Sequence, residues 1–180
     1  AFNQDLGQPY RPRGGGLTET ELDGARRTYG HGAVPGERGC VMGVDVGRFL
    51  HVVIRGPVDT ETGERPQRWA GVVAGFEEAG RLMRRFGVRV CVMDALPETR
   101  KAREFQEGQD RGRVWLAYYG EAVDRRAEMA HWKDEEGTVT LDRTRMFDEV
   151  FASMQDGGWT LPGDIRGVAD YDPHLQAPVR

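Results

Sequence analysis

The stretch "VMGVDVGRFLHVVIR", residues 41–55, sets one carboxylate, Asp45, inside an apolar run, follows it with a glycine turn and resumes with a second apolar run. Two such runs separated by so short a turn predict a β-hairpin, Cys40 to Val46 against Phe49 to Arg55, folded around Gly47. On this reading Asp45 is a buried charge, and a buried charge needs a counter-charge or a metal. That requirement directs the reading of the rest of the chain.

Downstream, "GPVDTETGERPQ" (56–67) is a polar loop rich in turn residues, leading to a third strand near Arg68 to Ala74. The pattern then changes from meander to alternation. In "GFEEAGRLMRRFG" (75–87), Phe76, Ala79, Leu82, Met83 and Phe86 recur at helical spacing and Gly87 closes the helix. "VRVCVMD" (88–94) is a buried strand ending on Asp94, Pro97 opens a helix closed by Gly108, and "GRVWLAYYG" (112–120) is another strand. Residues 121–137 are highly charged and read as an excursion or short helix outside the core sheet. "TVTLD" (138–142) is a short strand, and 143–158 an amphipathic helix carrying Met146, Phe147, Val150, Phe151 and Met154. The expected fold is α/β: a mixed five-stranded sheet of three antiparallel meander strands and two parallel strands, with helices on both faces.

Upstream, residues 1–16 are rich in Pro and Gly and read as an interdomain linker, which makes the chain an expected fragment. Thr18 followed by Glu21 is a capping-box signature for a short helix within 17–32. The expected division is linker and short helix over 1–32 and one folded domain over 33–180. With 180 residues and 38% hydrophobic content the chain suits a single ordinary domain. No apolar run approaches the roughly 20 residues of a membrane helix, and no secretion signal opens the chain. Cys40 and Cys91 have no metal-type spacing and read as buried small hydrophobes in a reducing compartment. A net charge of −4 argues against nonspecific coating of nucleic acid, but it is compatible with a nuclease whose site is built of carboxylates. The basic residues are arginines apart from Lys101 and Lys133, and arginine suits forked phosphate contacts.

Asp45 and Asp94 each end a strand expected at the centre of the sheet, where open α/β sheets bind ligands. Two neighbouring carboxylates demand a cation, and oxygen ligands select a hard divalent ion over zinc. Taken singly, Asp94 could cap the helix after it and Asp45 could merely end a strand.

"MGVDVG" followed by "LHVVI", then "VCVMDALPETRKAREF", "VTLDRTRMFDEVF" with "LP" downstream, and the final "HLQAP" resemble the C-terminal nuclease domain of the large terminase subunit of tailed bacteriophages. The resemblance implies a ribonuclease H-like fold and a metal-dependent endonuclease that cuts concatemeric viral DNA during packaging. It implies two Mg²⁺ or Mn²⁺ ions that clamp the scissile phosphate, one activating water and one stabilising the leaving 3′-oxygen. The implied ligands are Asp45, as the bridging residue, Asp94 and a C-terminal aspartate. The family's third acid lies in a "D-H-x-x-D-A" type helix, whereas this tail reads "ADYDPHLQAP". Asp172 is the choice there, Asp170 the runner-up and Asp164 a more distant possibility. The implied partners are double-stranded DNA, an ATPase motor domain of the same polypeptide, the terminase small subunit and the portal protein, in the host cytoplasm.

Arg48 in the turn, Arg100 and Lys101 at the start of the helix after Asp94, and Arg143 are candidate DNA contacts. Asp142 reads as the N-cap of the helix after it. His51 reads as a structural residue, and Trp115, Tyr118 and Tyr119 as core and sheet residues. Competing functions are a Holliday-junction resolvase or transposase of the same fold, and a degenerate scaffold that only binds DNA. An actin-like ATPase lobe is disfavoured by length, and no Walker A sequence occurs.

Overall fold

Three apolar segments pair as the central strands: in the first two the buried residues fall at every second position, which the pleat sends to one face of a sheet, and the third contributes to both faces. In a computed structural model that describes residues 16–33, 39–120 and 128–177, these are β2 (Cys40–Val46), β3 (Leu50–Arg55) and β4 (Arg65–Val73), an antiparallel meander. Helix α2 (Phe76–Arg85) crosses to β5 (Val88–Asp94), parallel to β2, and α3 (Thr99–Glu107) crosses to β6 (Val114–Tyr119), parallel to β5. The block β4-β3-β2-β5-β6 is the expected five-stranded mixed sheet.

Among the described residues the sheet has nine strands, not five: with β1 (Arg26–Arg27), β7 (Ala130–Lys133), β8 (Thr138–Leu141) and β9 (Trp159–Pro162) the order is β1-β9-β4-β3-β2-β5-β6-β8-β7. β8 is the short strand expected at 138–142, lying beside β6. β1, β7 and β9 have four residues or fewer, too short for an alternating pattern of their own, and pair because neighbouring elements carry them to the sheet. β7 lies within the charged stretch expected to be an excursion or helix; residues 121–127 of that stretch lie outside the described residues, as does most of the expected linker. The helix α1 (Glu19–Ala25) has the expected capping box, with Thr18 and Glu21 bonded reciprocally. Helix α4 (Arg143–Gln155) carries the chain from β8 back to β9, and α5 (Tyr171–Gln176) closes the described chain.

The two faces of the sheet hold separate cores. Met42, Val44, Val46, Val52, Ile54 and Met93 pack with Leu82, Met83 and Phe86 of α2 and Ala102 of α3. On the other face Val53 and Ala70 pack with Leu22 and Ala25 of α1, Phe151 and Met154 of α4, and Tyr171 and Leu175 of α5. Cys40 and Cys91 are thiols outside any disulfide, fully buried in the first core as expected, and burial pushes the Cys91 thiol up to about 12. No described helix is long and apolar enough to cross a membrane.

Candidate metal centre

The pleat decides where Asp45 points. Val44 and Val46 belong to the first core, so Asp45 between them faces the opposite side, where it is exposed. The expectation of a buried charge is therefore corrected: an apolar run reads as buried on both faces, but here the alternate residues Gly43 and Asp45 are open to solvent. Asp94, between Met93 and Ala95 of the same core, faces that side too and is half-buried.

Val44 pairs with Met93 across the parallel strands β2 and β5, so the next residues, Asp45 and Asp94, lie side by side. Burial, above all, pushes the Asp94 carboxyl up to about 6, and the facing Asp45 carboxyl adds to the rise by hydrogen bonding and by its charge. Tyr119 and Arg143 act in the opposite sense. The Tyr119 hydroxyl donates to Asp94 Oδ1 at 2.5 Å, and the Arg143 charge favours the ionised form. The Tyr119 phenol is itself raised, by burial and by the adjacent carboxylate. The Arg143 guanidinium lies 5.5 Å from the Tyr119 ring centroid and 5.7 Å from that of Phe147.

Among the described residues neither carboxylate has a salt bridge. Two facing carboxylates supply all-oxygen donors of the kind a hard divalent cation takes. Asp94 does not cap α3, whose N-cap is Glu98 with no side-chain bond.

The other candidates are placed elsewhere. Asp172 Oδ2 accepts from Arg26 Nη2 at 2.5 Å, and its Oδ1 is buried without a partner among the described residues. Asp170 precedes α5 in the left-handed backbone region, with φ of 57°. Asp164 accepts from the His31 amide at 2.6 Å. Among the described residues no three His, Cys, Asp or Glu side chains converge to hold an ion. Arg48 is exposed beside Phe49, its guanidinium 5.5 Å from the ring centroid. Arg100 and Lys101 pair with Glu104 and Glu98 on α3, the helix of the opposite face. Asp142 caps α4, accepting from the Arg145 amide at 3.1 Å.

Two features were missed. Tyr119, read as a core residue, is 51% exposed and belongs to the acid pair. Its signal was parity: it lies two residues beyond Ala117, which pairs with Asp94. His51, the cross-strand partner of Asp45, lies near His174 of α5, with ring centroids 6.4 Å apart. No protein-family profile matches the chain, and no curated protein matches its sequence.

Proposed function

We propose that this protein is a divalent-metal-dependent DNA endonuclease of the terminase nuclease kind, with a ribonuclease H-like fold, which hydrolyses phosphodiester bonds in concatemeric viral DNA. The observation that carries the reading is the pair Asp45 and Asp94, face to face at the C-terminal ends of adjacent parallel strands, with Asp94 raised to about 6. The block order β4-β3-β2-β5-β6, with β2 at its centre, agrees with the fold the resemblance implies.

Asp45 and Asp94 hold Mg²⁺ or Mn²⁺. When bound, the cations acidify the attacking water and stabilise charge on the leaving oxygen. Tyr119 holds the Asp94 carboxylate through Oδ1, and the other oxygen would be left to a cation. Arg143 supplies a fixed positive charge at the N-terminal end of α4, where it meets a backbone phosphate. The third acid that the resemblance implies, Asp172 as first choice and Asp170 as second, stands apart from the pair here, and Asp172 would have to give up its bond to Arg26 to join it. The substrate is double-stranded DNA, with the ATPase motor, small subunit and portal as partners in the host cytoplasm.

The test is plasmid cleavage with Mn²⁺, Mg²⁺, Ca²⁺ or EDTA, on the parent and on Asp45→Asn and Asp94→Asn. Cleavage that needs Mn²⁺ or Mg²⁺ and vanishes in both variants supports the reading. Cleavage by Asp45→Asn at the parent rate refutes it.

A further inference from the structure

Of the six large apolar side chains exposed among the described residues, four are gathered in one place. Phe49, Val72, Leu96 and Tyr119, each between 49% and 63% exposed, share one edge of the sheet. The strands β2, β4, β5 and β6 run in one direction, as β2 is parallel to β5, β5 to β6, and β4 is antiparallel to β3. Their C-terminal ends therefore lie together. Phe49 follows β2, Val72 nearly ends β4, Leu96 follows β5 by two residues, and Tyr119 ends β6. Asp45 and Asp94 end β2 and β5 at the same edge, so the acid pair is set within an apolar rim.

The rim carries positive charge in a particular form. On one side of the acid pair the Arg48 guanidinium lies 5.5 Å from the Phe49 ring centroid, and on the other the Arg143 guanidinium lies 5.5 Å from that of Tyr119. β6 is two strands from β2, so the two arginine–aromatic pairs are about 10 Å apart across the sheet. An intact duplex offers a protein phosphates and groove edges but keeps its base faces stacked, so exposed rings gain little from it. Unpaired bases present those faces, and aromatic rings beside arginines are the surface on which they stack.

We propose that the acid pair acts on DNA whose bases are unpaired at the cut: Phe49 with Arg48, and Tyr119 with Arg143, stack the bases flanking the scissile phosphate, and Leu96 lies against the sugar between them. This rests on the nuclease reading and narrows its substrate to melted or single-stranded segments. The arginines meet the phosphates while the rings meet the bases.

The test is fluorescence anisotropy of the full chain in Ca²⁺ with a blunt duplex, a forked duplex with unpaired arms, and a single strand, each checked for integrity after the measurement. The variants are Phe49→Ala, Tyr119→Ala and Tyr119→Phe, taken forward when they melt with the parent; Leu96→Ala is the second variant if Phe49→Ala does not fold. Phe49→Ala and Tyr119→Ala are expected to weaken binding of forked and single-stranded DNA about ten-fold each, and to change blunt-duplex binding less than about two-fold. Tyr119→Phe keeps the ring but loses the bond to Asp94, so a loss on unpaired DNA as large as that of Tyr119→Ala would assign the effect to the acid pair and overturn the stacking role of Tyr119. Alanine variants that bind unpaired DNA like the parent, or lose equally on blunt duplex, overturn the proposal. Plasmid cleavage judges the nuclease reading separately: a chain that binds forked DNA through the rim but cuts nothing retains the stacking surface and loses the nuclease.

Discussion

Tyr119, at the end of β6, donates its hydroxyl to Asp94, at the end of the neighbouring parallel strand β5. The bond favours ionised Asp94, against the burial and the Asp45 charge that favour the neutral acid. The raised Asp94 value means that folding favours the protonated form. The stability this contributes is complete below about pH 4, the ordinary carboxylate range. It is lost as pH rises through about 6. With chelator present, the parent's Tm should therefore fall between these limits by more than that of Asp94→Asn. Tyr119→Phe removes the donor that favours the ion, so its fall should be centred at higher pH. Equal Tm profiles for parent and Asp94→Asn would contradict this.

Asp172 and Arg26 form an ion pair whose side chains are only 22% and 11% exposed. Removing the carboxylate leaves a largely buried guanidinium short of a partner. Asp172→Ala should lose about 2 kcal/mol in metal-free urea unfolding, and Asp172→Asn less. An unchanged unfolding midpoint would show that the pair contributes nothing.

Asp142 separates a cap from a ligand. Because it accepts from the Arg145 amide at the start of α4, Asp142→Ala should cost about 1 kcal/mol of stability and leave Mn²⁺ affinity unchanged. A loss of affinity at constant stability would give it a place in the metal set.

Gln67 of β4 is fully buried, and its Oε1 accepts from the Tyr171 hydroxyl at 2.7 Å and from Trp159 Nε1 at 3.3 Å. Gln67→Leu strands both donors and should cost about 3 kcal/mol, whereas Tyr171→Phe removes one bond and should cost about 1 kcal/mol. Chemical denaturation of the two variants checks the order.

The central hairpin, β5 and α2 were legible because their apolar periods are long and unbroken, and the strand ends then gave Asp45 and Asp94 their places. Asp45's exposure was not read, because an apolar run hides which alternate residues the second face leaves uncovered. Tyr119 was hidden for a related reason: "AYY" looks like core until the register of β6 on β5 fixes its parity. β7 and β9 have no pattern of their own that sets them against neighbours. The third acid was beyond reach because Asp172 sits in a six-residue helix positioned by tertiary contacts, with a partner, Arg26, 146 residues away.

If Asp45 and Asp94 together hold the metal, each is needed for its affinity, and calorimetric titration of Mn²⁺ into the DNA-free protein reads this on the parent and on Asp45→Asn. The parent should bind Mn²⁺, and Asp45→Asn should bind at least about ten-fold more weakly, a loss of about 1.4 kcal/mol, with Tm unchanged or raised as like-charge repulsion is relieved. Asp45→Asn binding Mn²⁺ with the parent's affinity would contradict the claim.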